Sequence, residues 1–259
     1  KDDTLVWVTD KETPIIDSSY LNSREMVIIG TLVNDRLVHL DEKYNPVPLL
    51  ATGWTWVNDT TLDLDIRTGV KFHSGKVLDA EDVAYTLNFI VDRANGSFTY
   101  SYISWIKNVE VLGPAKVRIH MNKAFPAALT YLAGSANILA KGHYDKAPKK
   151  ADGKPDFGAV PANGTGPYRV TEVKPGDYVM MERNPDYWDG SPKGKGQIGR
   201  IKFRTIKDSN TRLAEVMTGA VDWVWDVPKD QADRIKGAPN LTVENAKTLR
   251  ISFLSAMVL

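Results

Sequence analysis

The sequence predicts a mixed α/β protein with β-hairpins, and three observations carry that expectation. The stretch Asn163–Trp188 reads as a glycine-rich entry into a strand, a turn, a returning strand and an aromatic tip. Leu62, Leu64 and Ile66 alternate with Asp63 and Asp65, the pattern of a half-buried strand. Asp79 and Asp208 each stand just before a 3.6-residue apolar period, as helix N-caps do.

Within Asn163–Trp188, Gly164 and Gly166 can take positive φ, and Pro167 forces an extended entry into Tyr168–Val170. Lys174–Asp177 (KPGD) is a turn signature, and Tyr178–Arg183 reads as the returning strand. A phosphate-binding turn would need a following helix and a further Gly or a Lys-Ser/Thr pair; here Pro-Tyr and a strand follow. Earlier in the chain, Thr4–Val8 looks like a first strand. Asn22–Glu25 has capping-box spacing ahead of a helix whose face is Met26, Ile29, Leu32 and Val33. The Asp79-capped helix presents Val83, Leu87, Ile90 and Ala94. Val117–Met121 alternates as a strand, with Arg118 and His120 turned to solvent. Asp208 caps a helix bearing Leu213, Val216 and Met217 that stops at Gly219. Leu249, Ile251 and Phe253 alternate as a last strand.

The chain of 259 residues has room for one large or two modest domains. With 42% hydrophobic and 25% charged residues it is ordinary for a soluble globular protein, and a net charge of +1 gives no reason to invoke nucleic acid. The absence of cysteine excludes disulfides, Cys-ligated zinc and thiol catalysis. No apolar run approaches the ~20 residues that span a bilayer, and no leader pattern stands at Lys1, so any export signal is expected to have been removed or never present. Lys141, Lys146, Lys149, Lys150 and Lys154 form a basic stretch without aromatic interleaving, better read as a solvated loop than as a nucleic-acid or lipid surface.

The GTGPY and RNPDYW motifs together resemble the extracytoplasmic solute-binding proteins of ABC importers, in the large peptide/nickel-binding family (family 5). Arg67–Gly75 (RTGVKFHSG) with Leu78–Val83 (LDAEDV) resembles that family's LRxGVKFHDG…LTAEDV signature, with Ile66-Arg67 for Leu-Arg and Ser74 for the usual Asp. Phe125–Leu129 and Ala220–Asp222 resemble further family elements. The resemblance covers nearly the whole chain but only about the N-terminal half of the family's fold. It implies an α/β (mixed α+β) lobe of the periplasmic-binding-protein type II kind with an additional sub-domain, the second lobe being absent. Residues 1–35 and 162–259 would form a discontinuous first lobe, with 36–161 inserted.

The function this implies is capture of a small solute, an oligopeptide or similar, in an interlobe cleft that closes by hinge motion, for delivery to a membrane ABC permease. A monomeric protein, periplasmic or anchored outside a Gram-positive cell, is expected, with no cofactor, no metal and no catalytic residue. Ligand contacts are expected at Tyr20, Leu21 and Asn22, at Tyr100 and Tyr102 of an aromatic cluster that also holds Phe98 and Trp105, and above all at Trp223, Trp225 and Asp226. For each group the alternative is packing: a surface loop, a small core, or a Trp pair buried in the lobe. His73 invites a metal or general-base reading, but without a nearby ligand at metal spacing it is read as packing; His39, His120 and His143 form no ligand pair either. A carboxylate–histidine hydrolase is the alternative enzyme reading, unsupported by any Gly-x-Ser-x-Gly or His-Glu-x-x-His motif. A signalling receptor domain sharing the fold is the other alternative.

Overall fold

A computed structural model describes residues 3–13, 16–21 and 23–244. In chain order these form β1 (Thr4–Thr9), α1 (Arg24–Val33), β2 (Val38–Leu40), β3 (Pro46–Pro48), β4 (Ala51–Asn58), β5 (Thr61–Ile66) and α2 (Ala80–Val91). There follow α3 (Tyr100–Ile103), β6 (Ile106–Gly113), β7 (Lys116–Met121), α4 (Ala128–Gly134), β8 (Tyr168–Lys174) and β9 (Tyr178–Arg183). The last elements are β10 (Arg200–Thr205), α5 (Ser209–Thr218), β11 (Trp223–Val224) and α6 (Lys229–Ile235). Asn22 and the expected strand at Leu249, Ile251 and Phe253 lie outside the described residues.

Two larger sheets organise these elements, and β2 pairs with β3 in a separate antiparallel ribbon. A five-stranded sheet runs β11-β1-β10-β9-β8, in which β1 pairs in parallel with both β10 and β11 while β9 and β8 complete an antiparallel edge. A four-stranded antiparallel sheet runs β4-β5-β7-β6. Each has its own core. Leu62, Leu64 and Ile66 of β5 and Val117, Ile119 and Met121 of β7 meet Val83, Leu87 and Ile90 of α2. Met26, Ile29 and Val33 of α1 meet Val179, Met181, Ile201 and Phe203 across β9 and β10. Each aliphatic side chain so buried contributes about 1.5–3 kcal/mol.

The expected helices form, with local corrections. Asp79 caps α2 through a reciprocal box with Asp82, but the helix ends at Val91, so Ala94 falls in the following turn and is exposed. Ser23, not Asn22, caps α1 by accepting from the Met26 N–H at 3.1 Å, and with Met26 at the position where a box needs a carboxylate, no box closes. Asp208 caps α5 and Gly219 ends it at φ 74°, yet Met217 is exposed because α5 lies at the rim of its sheet. Asp63 is buried and takes a two-pronged bond from Arg118 at 2.7 and 2.9 Å, while His120 lies 3.0 Å from Glu110; cross-strand pairing supplies partners that alternation alone does not show.

The hairpin β8–β9 turns at Lys174–Asp177, where Gly176 has φ 78° and the Asp177 N–H donates to the Lys174 carbonyl at 3.0 Å. Gly164 and Gly166, by contrast, do not use positive φ. They are required by close approach: a Cβ on Gly166 would lie 2.5 Å from the Leu32 carbonyl oxygen, and one on Gly164 would overlap the Val33 carbonyl. The turn is pressed against the C-terminus of α1, with the Gly166 N–H donating to Val33 O at 2.9 Å.

Beneath that turn lies the buried carboxylate Asp35, fully enclosed. Its oxygens accept from Thr165 Oγ1 at 3.2 Å, Tyr187 Oη at 3.1 Å, Trp188 Nε1 at 3.3 Å and Lys193 Nζ at 2.7 Å. Lys193 spends its other two protons on the carbonyls of Thr31 (2.6 Å) and Asn34 (2.9 Å), so every donor of the ammonium is used. The RTGVKFHSG loop docks on the same turn. His73 N–H donates to Gly164 O at 2.8 Å, His73 Nε2 donates to Gly166 O at 3.0 Å, and Ser74 N–H donates to Asn163 Oδ1 at 2.9 Å. In that tautomer His73 Nδ1 is an acceptor, buried and without a hydrogen-bond partner among the described residues.

Three outcomes are expected. Asp35→Asn should destabilise the protein by about 3–5 kcal/mol in urea unfolding, because it strands a buried ammonium, and adding Lys193→Met should restore much of the loss. Gly166→Ala should cost about 3 kcal/mol or more, against about 1 kcal/mol for Gly69→Ala, where φ is +80° but no atom lies within 4 Å. The third concerns pH. Burial lowers the pKa of His73 below its usual 6.5, with Arg169 and Lys193 acting in the same direction and its bond to Gly166 and the charge of Asp35 opposing. The unfolded chain therefore binds the extra proton first, and stability is lost as pH falls from about 6.5 through the folded pKa. Burial also lowers His39 and His143, and it raises Asp17, which titrates with the opposite sign. His73→Gln, which keeps a donor for Gly166, should flatten the wild-type decline in urea midpoint between pH 7.5 and 5; an unchanged slope would remove His73 from this role.

Candidate ligand site

The parallel arrangement of β1, β10 and β11 sends their C-terminal ends to one edge of the five-stranded sheet, the position where open α/β sheets bind ligands. β11 is pinned to β1 by Asp222, whose Oδ2 accepts from the Val6 N–H at 2.9 Å and whose own N–H donates to Val6 O at 2.9 Å. The register sets Trp223 beside Trp7, their rings meeting edge to face at 6.2 Å. Trp225 stacks on Trp7 at 5.9 Å and 13°. Trp7 rests in turn on the core ring of Phe203 at 5.4 Å. The result is an indole group that is anchored on one side and open on the other: Trp223 is 47% and Trp225 36% exposed.

Charge is concentrated around it. The first turn of α1 brings Arg24 over the Trp225 ring at 5.2 Å, with Nη1 bonded to Asp226 Oδ2 at 2.5 Å. Arg24 Nε and Nη2 also donate to Glu25 Oε1 at 3.2 and 3.0 Å, and Thr9 Oγ1 donates to the same oxygen at 3.3 Å. Glu25 is fully buried, and its Oε2 has no hydrogen-bond partner among the described residues. Asp226 sits at φ 52°, a left-handed conformation that Asp tolerates better than most residues.

The other expected contact residues gather elsewhere. Tyr20 donates through Oη to Asn95 O at 2.9 Å and packs its ring on Tyr144 and Phe157 at 5.7 and 5.6 Å. Leu21 packs against the core under α1. The loop is tied to the 97–99 segment by the Phe98 N–H, which donates to Ser19 O at 2.8 Å. Tyr100 is half-buried under Arg93, whose Nε donates to its Oη at 2.9 Å, and Tyr102 is exposed. Trp105 belongs to the first core, stacked on Phe125 at 5.0 Å, so it does not share a surface with Tyr102. Asp17, held up in pKa by burial, accepts from Tyr144 Oη at 2.5 Å and lines a polar depression of water size with Asn34, Asn137, His143 and Asn163. A ligand of drug or peptide size needs roughly 300–1,000 Å³, so the open indole surface, not this depression, is the candidate.

Trp7, Arg24 and Glu25 were not among the expected contacts. Trp7 lies in a strand that reads as core, and the two charged residues sit inside what reads as a helix cap. Among the described residues, no group of three or more His, Asp or Glu is placed to hold a metal ion, and no helix is long and apolar enough to cross a membrane.

Residues 45–257 match the model of the bacterial extracellular solute-binding proteins, family 5 (Middle), and the chain belongs to that family. The nickel-binding protein NikA of Staphylococcus aureus is 29% identical over 197 residues, which is 76% of this chain and 36% of that protein. The glutathione-binding protein GsiB of Salmonella paratyphi A is 29% identical over 223 residues, 86% of this chain and 42% of its own length. In structure, the oligopeptide-binding protein AppA of Bacillus subtilis, solved with a nonapeptide, superposes with a TM-score of 0.80 at 25% identity, covering 92% of this chain and 46% of that one. The fold is thus the mixed α/β lobe of these type II solute-binding proteins. The chain spans less than half the length of each of these relatives.

Proposed function

We propose that this chain is the substrate-capturing lobe of an extracytoplasmic solute-binding component of an ABC importer, and that its ligand is a small solute such as an oligopeptide. The observation that carries the reading is the anchored, half-exposed indole group of Trp7, Trp223 and Trp225 at the C-terminal ends of three parallel strands. Rigid aromatic faces beside a few placed polar groups suit a ligand that a second surface then covers. Closure follows when the ligand binds the closed arrangement better than the open one. Family membership supports the same role, since relatives named for nickel, glutathione and oligopeptides share it. Delivery to a membrane permease and a location outside the cytoplasm go with that reading.

We further read residues 1–35 and 162–259 as one discontinuous unit and 36–161 as an insertion. In support, among the described residues the fully buried core under α1 is drawn from residues 16–33 and 168–203 and the other from residues 37–140, although Trp188 packs against the edge of the latter.

A surface open on one side gives up most of the desolvation that closure supplies. Each indole contact is worth about 1–3 kcal/mol by analogy with base stacking, and about 1.4 kcal/mol corresponds to tenfold in affinity. The 259-residue chain is therefore expected to bind a nonapeptide no more tightly than about 100 μM by calorimetry, with a change in indole fluorescence. Trp225→Ala and Trp223→Ala should each weaken that binding about tenfold. Tight binding that survives both substitutions would place the site elsewhere.

A further inference from the structure

Resting on that reading of the indole surface, we propose that it receives a cationic group of the ligand, an ammonium or a guanidinium, and that Arg24 occupies its place until the ligand arrives. Three independent features lead there. Indole faces carry negative quadrupole density and attract cations within about 6 Å of the ring, and the Arg24 guanidinium already sits 5.2 Å from the centre of Trp225. Carboxylates gather here among the described residues: Glu25 and Asp226 flank the Arg24 guanidinium, and Asp10 follows Thr9 in the chain. The N-terminal dipole of α1 offsets part of this charge without reversing it. Finally, Glu25 Oε2 is a buried acceptor left without a donor among the described residues, so the cluster holds more acceptor capacity than Arg24 and Thr9 fill. Such a deficit is uncommon in a carboxylate this enclosed.

One limb of Arg24 is suited to give way. The side chain is 32% exposed and its Nη1 bond to Asp226 lies in solvent, where an ion pair contributes little. A ligand cation entering over Trp225 would take up the Asp226 contact while the guanidinium turns off the ring, keeping its Nε and Nη2 bonds to the buried Glu25. The opposite assignment is chemically natural too: Arg24 could grip an anionic ligand group. The two differ in the sign of one experiment, because removing a placeholder strengthens binding and removing a ligand contact weakens it.

Indole fluorescence of the 259-residue chain would be titrated to millimolar concentrations with trialanine, trilysine and triglutamate, each N-acetylated and C-amidated so that only the side chains carry charge, using wild type, Arg24→Gln, Asp226→Asn and, as a control for net charge, Lys154→Gln. Trilysine is expected to bind wild type about tenfold more tightly than triglutamate. Arg24→Gln should raise the trilysine affinity roughly three- to tenfold, well beyond the effect of Lys154→Gln, while leaving trialanine within about twofold. Asp226→Asn should erase the preference. Weaker trilysine binding in Arg24→Gln, an effect no larger than that of Lys154→Gln, or equal affinity of wild type for all three peptides would overturn the charge assignment and leave the indole site standing. A complete absence of response to all three peptides would remove the indole site itself, and the charge assignment with it.

Discussion

A single buried ion pair, Asp35 with Lys193, holds together most of what is distinctive in this molecule. Removing two charges from water costs several kcal/mol per ion unless every lone pair and proton is matched. Here the matching recruits four separate chain segments. Thr165 comes from the glycine turn, Tyr187 and Trp188 from the end of the hairpin, Lys193 from the loop beyond, and the Thr31 and Asn34 carbonyls from the C-terminus of α1. The Asp35 carbonyl also accepts from the Ile138 N–H at 3.0 Å, which ties in the region after α4. None of these segments can shift without leaving a buried polar group unpaired.

That constraint reaches the indole surface through α1. Its C-terminus is clamped by the glycine turn and the Asp35 network; its buried face is set on β9 and β10; its N-terminus therefore presents Arg24 and Glu25 at the edge where β1 and β11 end. The same clamp sets the RTGVKFHSG loop, through His73, against the turn. The two motif blocks that identify the family in sequence are thus two sides of one seam, and neither contributes a group to the indole surface.

Much of the architecture was legible beforehand because local rules control it. The capped helices at Asp79 and Asp208, the KPGD turn and the alternating strand at Leu62–Ile66 stand where periodicity and turn chemistry put them. Misreadings occurred where a partner distant in sequence decides the outcome: Asp63 is buried because Arg118 faces it across the sheet, and the glycines of the GTGPY motif are needed for lack of space beside α1, not for positive φ. Lys193, in a stretch rich in Gly, Lys and Pro, is nearly enclosed because Asp35 holds it.

What the sequence by itself determined was the class of protein, the alternation and capping of its elements, and the presence of Trp223, Trp225 and Asp226 on one short strand and its exit. These depend on contacts within about four residues or on motif identity, and both are written along the chain. Only the tertiary structure decided that Trp7, some 216 residues away from Trp223 in the chain, completes the indole group, that Arg24 and Glu25 surround it with charge, and that Tyr20, Tyr100 and Tyr102 belong to other surroundings. The parallel pairing of β1 with β11 makes the difference: strands joined by a crossover take their neighbours from the sheet order, and that order is carried by no local pattern of residues.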